Sequence, residues 1–433
     1  MLKKWSCAAL SILLAAVMLS GCTDEKSELQ IKEEKPEKTI ITLFLPLDGN
    51  SYSVGIYKDV IADYNRMSDT IEIRVDGLST GDGYNEALLQ RLENGGEGAD
   101  LFIVNADSVK QLNAKGYFYD LSGLSAYNLL NETAKEQARI DGTVYTIPLQ
   151  MTAYGLYVNV GLLRQYGLEA PRNLNEFLHC CEVLKADGIT PLSLNRWYAL
   201  TCMAMSRGLS PLYQSEDKEN LLAGLNDGSV NISSYMLDGF RFFKELTEKG
   251  YYGEGITAEE ADAIKAGTSD MDNFVSGKTA FAVFTTSSVD QISRTAPDME
   301  FIQQGFPVLP DGTVSMPTLA ARLCVNAKGA HIEEALDAVE YLTATRAEEF
   351  IAEGSGFLPS IQYEKESSID KRTVPIYQDA VSPGQVPIED MSLRFTYWDT
   401  TRELCIKIIG GMSAEDAAKE YDRIQKEQIN SYD

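Results

Sequence analysis

Residues 40–104 read IITLFLPLDGNSYSVGIYKDVIADYNRMSDTIEIRVDGLSTGDGYNEALLQRLENGGEGADLFIV, and this stretch decides the fold class. Ile40, Ile41, Leu43, Phe44 and Leu45 form an apolar run closed by Pro46, the pattern of a strand buried on both faces. Tyr57, Val60, Ile61 and Tyr64 then recur at helical spacing, and Ile71, Ile73 and Val75 alternate as a strand. Tyr84, Leu88, Leu89 and Leu92 return to helical spacing before the apolar run that ends at Val104. The resulting β-α-β-α-β order predicts an α/β protein with an open parallel sheet covered by helices. Ligands of such sheets sit beyond the carboxyl ends of the strands.

Helical stripes continue downstream. Asn173 can cap a helix carrying Leu174, Phe177, Leu178, Cys181 and Leu184, which stops near Gly188. Ile332, Ala335, Leu336, Val339 and Leu342 mark a second. Ala417, Tyr421 and Ile424 mark a third, opened by Ser413 with Asp416 three residues on. Upstream, Lys3 and Lys4 precede an apolar run from Cys7 to Leu19 that is too short to span a membrane. The following Leu19-Ser-Gly-Cys22 resembles the bacterial lipoprotein box, so residues 1–21 are expected to be a signal peptide and Cys22 the acylated residue. A plain signal peptide with an incidental cysteine is the alternative. Residues 22–38 are rich in charges of both signs and read as a tether that holds a globule clear of the bilayer.

The 433 residues are 24% charged and 44% hydrophobic, enough apolar material for two cores and incompatible with wholesale disorder. With 64 acidic against 38 basic residues the net charge is −26, which repels a phosphate backbone and excludes nucleic acid as a partner. His179 and His331 are far apart, and His179, Cys180 and Cys181 as consecutive helical residues point about 100° apart and cannot close on one metal ion. The cysteines after Cys22 (Cys180, Cys181, Cys202, Cys324 and Cys405) lack metal-ligand spacing and read as small buried residues. Phosphate-binding, dinucleotide and serine-nucleophile motifs are absent, so no cofactor and no metal are expected. A pair of carboxylates suited to glycoside cleavage remains open, because that chemistry needs separation in space rather than a motif.

From Asp141 to Leu194 the chain reads DGTVYTIPLQMTAYGLYVNVGLLRQYGLEAPRNLNEFLHCCEVLKADGITPLSL, which resembles the family 1 extracellular solute-binding proteins of ABC importers, the family of the maltose-binding protein. The likeness recurs in Asn273 to Phe281, in Val325-Asn-Ala followed by the Glu333 helix through Gly356-Phe-Leu-Pro359, and in Gly411 to Ala418. It implies the two-lobed type II periplasmic-binding-protein fold, each lobe an open, mostly parallel sheet with flanking helices. Residues 39–148 and 271–320 would form the first lobe and 149–270 and 321–433 the second. The three crossings would fall near Pro148 to Thr152, near Asp270, and near Leu319 to Arg322. The resemblance further implies a lipid-anchored monomer on the outer face of a membrane, closing around a mono- or oligosaccharide and presenting it to permease subunits without catalysis. A membrane-anchored glycoside hydrolase and a solute sensor or adhesin on the same fold are the rivals.

Site residues follow from the same resemblance, each with a plainer alternative. Asp107 matches an aspartate that bonds sugar hydroxyls, or caps the helix from Ser108. Trp398 matches a tryptophan that stacks on a sugar ring, or packs in the core. Thr152 and Tyr154 lie at the first crossing, where Thr152 replaces an acidic ligand residue. Trp197 lies in a loop that offers aromatics to the ligand. Tyr52 and Tyr84 follow the first and second strands and either face the cleft or pack at helix starts. Arg322 sits in an apolar crossing and needs a partner, either a solute group or a structural acid.

Overall fold

The computed structural model describes residues 37–46, 52–78, 81–95, 98–104, 106–140, 142–344, 357–362 and 369–432. The signal segment, Cys22 and all but the last two residues of the tether lie outside them. Among the described residues, no helix is long and apolar enough to cross a membrane.

The apolar runs fold as their patterns require. β1 (Thr39–Pro46) pairs in parallel with β2 (Ile71–Leu78), from Thr39 opposite Ile71 to Pro46 opposite Leu78, and with β3 (Leu101–Val104). A small hairpin, β4 (Arg139–Ile140) and β5 (Thr143–Val144), then leads into β6 (Ile147–Asn159), a continuous 13-residue strand. β7 (Thr190–Leu192), β8 (Thr279–Thr285), β9 (Phe301–Gln304) and β10 (Met316–Val325) complete the main sheet. Its order is β2-β1-β3-β10-β6-β8-β7, with β9 also on β6. The β1–β2, β1–β3 and β7–β8 pairs are parallel, while the long strands β6 and β10 pair antiparallel with each other and with their neighbours. Helices cover the sheet, including Leu174–Ala186, whose Asn173 side chain accepts the Glu176 amide as its sequence predicts.

Two large buried clusters, with two smaller ones beside them, lie along this sheet, and β6 serves both large ones. Its Ile147, Leu149, Met151 and Ala153 join the core built on Ile41, Leu43 and Ile73; Leu156 and Val158 join the one built on Phe177, Met203 and Phe243. The changeover falls at Tyr154–Gly155. On one edge β10 runs to Tyr154 and β9 takes over from Leu156; on the other a bridge to Leu358 at Met151 gives way to β8 at Tyr154. Gly155 is required there, because a Cβ would collide with the Gln304 carbonyl oxygen and the Ile376 side chain.

β8, β9 and Met316 pack with the second core, not the first, because β6 recruits β8 and β9 along its carboxyl-terminal half. Conversely Leu319, Leu323, Ala335, Val339, Tyr377 and Ala380 pack with the first core. The chain therefore passes between cores at Ala153–Leu156, at Met316–Leu319 and between Ala380 and Val386. Asp270 sits in the helix Ser269–Val275, whose Met271 and Phe274 pack on Tyr157 and Phe284 beside the second core.

Candidate functional site

A cavity of about 630 Å³ opens beside the β6 changeover, lined by Tyr154, Trp197, Tyr198, Ile388, Glu389 and Trp398, with Lys265, Ala266 and Asp399 at its margin. Three of the residues singled out in the sequence, Tyr154, Trp197 and Trp398, come together here. Tyr154 is the one residue of β6 that is not fully buried, because the strand's neighbours change beside it. Its ring centroid lies 4.8 Å from Tyr198 and 5.7 Å from Trp398, both tilted, so the three rings form a continuous wall. Burial pushes the Tyr154 and Tyr198 phenols up, so both remain neutral hydroxyls at ordinary pH. An aromatic wall edged by hydroxyls and carboxylates can hold the apolar face of a sugar ring and hydrogen-bond its rim.

The loop carrying Trp197 and Tyr198 is held by Asn195, which is fully buried. Its Oδ1 accepts the amides of Tyr198 and Ala199 at 2.6 and 3.1 Å, and its Nδ2 donates to Asp270 Oδ2 at 2.8 Å. Asp270 in turn accepts the Thr268 amide at 2.8 Å. This clip ties the Trp197 loop to the segment carrying Lys265 and Ala266. Burial pushes the Asp270 carboxyl up, opposed by the backbone amides and Asn195 that bond its charged form.

Trp197 is 38% exposed and rests against cations. The Arg402 guanidinium stands 4.5 Å from its ring centroid and that of Arg196 5.2 Å. Both are in turn held by acids, Arg402 at 2.7 Å from Asp399 and Arg196 at 2.9 Å from Asp262. Such cation–π contacts contribute on the order of 1 kcal/mol each and fix the ring while leaving part of it open to the cavity.

The remaining sequence candidates fall elsewhere. Tyr84 does not face the cleft: it is 4% exposed, stacks on Phe44 at 4.9 Å, and its hydroxyl donates to the carbonyls of Phe44 and Ile103. The helix Gly81–Glu93 lays its apolar stripe on the sheet and takes Tyr84 with it. Thr152 is buried, and its hydroxyl is shared with Thr286 at 2.8 Å, which binds β6 to the turn after β8. Arg322 is buried where β10 pairs with Val104 and Pro148, outside the aromatic cavity. Tyr52 opens the helix Tyr52–Met67 and Asp107 lies in the first turn of Ala106–Ala114; their side chains lie outside the described residues.

Sequence reasoning missed Tyr198, Lys265, Ala266, Ile388, Glu389 and Asp399. Tyr198 and Asp399 adjoin Trp197 and Trp398 and were within reach of the same chemical argument. Glu389 carried no pattern, since it lies in an irregular return segment after the third crossing. A second groove of about 330 Å³ runs between the lobes, with Glu136, Gln137 and Arg139 on one side and Tyr213, Lys218 and Pro387 on the other. Lys218 and Glu136 form an ion pair across it at 2.8 Å.

A family model described as bacterial extracellular solute-binding protein matches residues 50–349. The chain belongs to this family. Among curated proteins, the solute-binding protein is 22% identical over 344 residues to the multiple sugar-binding protein of Streptococcus mutans, covering 77% of each chain. Among solved structures it is similar to the apo form of RafE from Streptococcus pneumoniae, with a TM-score of 0.74 and 15% identity over 91% of this chain and 99% of that one. A sugar transporter of Bacillus licheniformis solved in complex with stachyose matches with a TM-score of 0.60 and 18% identity, over 89% of this chain and all of the other. At these identities the structural matches establish the two-lobed fold.

Proposed function

We propose that this solute-binding protein is the sugar receptor of an ABC importer, tethered through lipid on Cys22 to the outer face of a membrane and acting as a monomer. It takes a mono- or oligosaccharide into the space beside the β6 changeover, closes about the three crossings, and delivers the sugar unaltered to permease subunits. The observation that carries this reading is the wall of Tyr154, Tyr198 and Trp398 placed where the chain passes between cores. The names of its relatives agree: one is a multiple sugar-binding protein, RafE has been solved with raffinose, and the B. licheniformis protein holds stachyose.

A thermal-shift screen of sugars, amino acids, short peptides and polyamines tests it. A sugar at 100 times its dissociation constant should stabilise the fold by about 2.7 kcal/mol. Shifts confined to amino acids, peptides or polyamines would overturn the sugar assignment, and release of cleaved product at catalytic rates would overturn the transport role.

A further inference from the structure

Trp197 differs from the other aromatic residues of the cavity in what surrounds its ring. Tyr198 and Trp398 are both in ring contact with Tyr154, whereas Trp197, among the described residues, has no ring contact and has two guanidiniums beside it instead. It lines the same cavity as an aromatic surface separate from the wall.

The nearer guanidinium belongs to Arg402, which is 7% exposed. The helix Trp398–Ile409 carries Arg402 one turn after Trp398, on the same face, because residues four apart are neighbours along a helix. One helix thus supplies Trp398 to the wall and Arg402 to Trp197. Arg402 Nε and Nη1 are buried without a hydrogen bond among the described residues, although the Asp399 carboxylate stands 2.7 Å from Nη1. Glu403 Oε1 lies 3.6 Å from Arg402 Nη2 and 3.8 Å from Arg196 Nη2, which ties the loop of Trp197 to the helix of Trp398. Both acids are more than half exposed, so neither depends on a buried cation to satisfy its charge. A guanidinium buried with two unbonded nitrogens is costly, and the ring face of Trp197 at 4.5 Å offsets that cost.

We infer that Arg402 is a positioning residue that holds Trp197 at a fixed spacing from Trp398, and that this spacing selects a solute with two ring faces, a disaccharide or longer, over a monosaccharide. The inference rests on the sugar reading above. Stacking on Trp398 is open to a single pyranose, whereas Trp197 contributes only to a chain that reaches it. Releasing Trp197 from its guanidinium leaves the first contact in place and weakens the second.

Isothermal titration with raffinose, stachyose, maltotriose, xylotriose and chitotriose, alongside galactose, glucose, xylose and N-acetylglucosamine, tests it. The wild-type protein should bind at least one of the oligosaccharides about 10-fold or more tighter than any of the monosaccharides. Trp197→Leu, at a partly exposed position, should remove most of that preference. Arg402→Lys keeps the charge beside Asp399 and loses the planar face. It should weaken oligosaccharide binding by about 3- to 10-fold and have no further effect in the Trp197→Leu background. Both variants should retain the circular dichroism spectrum and a cooperative melt. An Arg402→Lys loss that is equal in the two backgrounds, or equal for monosaccharides and oligosaccharides, would mark a role in the fold alone and overturn the inference. A wild-type preference for a monosaccharide would overturn it while leaving the sugar reading intact; silence of the wild-type protein toward every sugar would overturn both.

Discussion

The first lobe and the second each set a tyrosine against aromatic neighbours, Tyr84 on a helix packed on the sheet and Tyr154 within a strand, to opposite effect. In the first, Tyr84 stacks on Phe44, the Arg91 guanidinium lies 4.1 Å from the Phe44 ring centroid, and the phenol donates to two backbone carbonyls. In the second, Tyr154 meets Tyr198 and Trp398 along one wall of an open cavity. What separates them is the fate of the surrounding backbone. Around Tyr84 the parallel strands are in register and leave no gap, whereas β6 changes neighbours on both edges at Tyr154 and leaves one. An open, aromatic-lined cavity arises where strand pairing is handed over.

Substitutions can break this contrast. Trp398→Ala should show the largest effect, weakening sugar binding by about 2 to 4 kcal/mol, as expected for a central aromatic anchor. Its loss of folding stability should be smaller, because the residue is only half-buried; calorimetry and melting of the same samples compare the two. Tyr84→Phe should do the reverse. It leaves two buried carbonyls short of a donor, costs about 1 to 3 kcal/mol in denaturant unfolding, and leaves the sugar dissociation constant within about twofold.

Thr152→Val probes the handover itself. Losing the hydroxyl shared with Thr286 should cost about 1 kcal/mol in stability with little direct effect on affinity. A large loss of affinity with unchanged stability would restore Thr152 as a solute contact. Raised pH acts through Cys180, whose thiol burial pushes up to about 11. Between the ordinary thiol value of roughly 8.5 and that figure, the folded chain keeps a proton that the unfolded chain releases, so stability should fall as pH rises through this window. Alkylation of the Cys180 peptide at pH 8, followed by mass spectrometry, should be slow in the folded protein and fast in denaturant.

Much of the fold was legible. The apolar runs ending at Pro46 and Val104, the alternation at Ile71–Val75 and the capped stripe after Asn173 all form the elements their periods dictate, because each is a local pattern. The point at which β6 passes from one buried cluster to the other was harder to read. Its sequence, with Gln150, Thr152 and Gly155 among apolar residues, does not name its partners, and only those partners, distant in sequence, fix the changeover. The site divides in the same way. Tryptophans beside a crossing are conspicuous through their chemistry, so Trp197 and Trp398 could be picked out. Glu389 is one of 64 acidic residues, and its place at the junction of two cavities depends on a return segment without periodicity.

The tryptophan emission of the protein tests the central claim most directly. After Trp5 the chain has only Trp197 and Trp398, and both line the cavity, so the signal reports from the site itself. Titration with raffinose, stachyose and the trisaccharides named above should give a saturable change in intensity or wavelength with at least one sugar, and that change should be lost in Trp398→Ala. Sugar binding detected by calorimetry with the emission of both tryptophans unchanged would place the solute elsewhere and contradict the account.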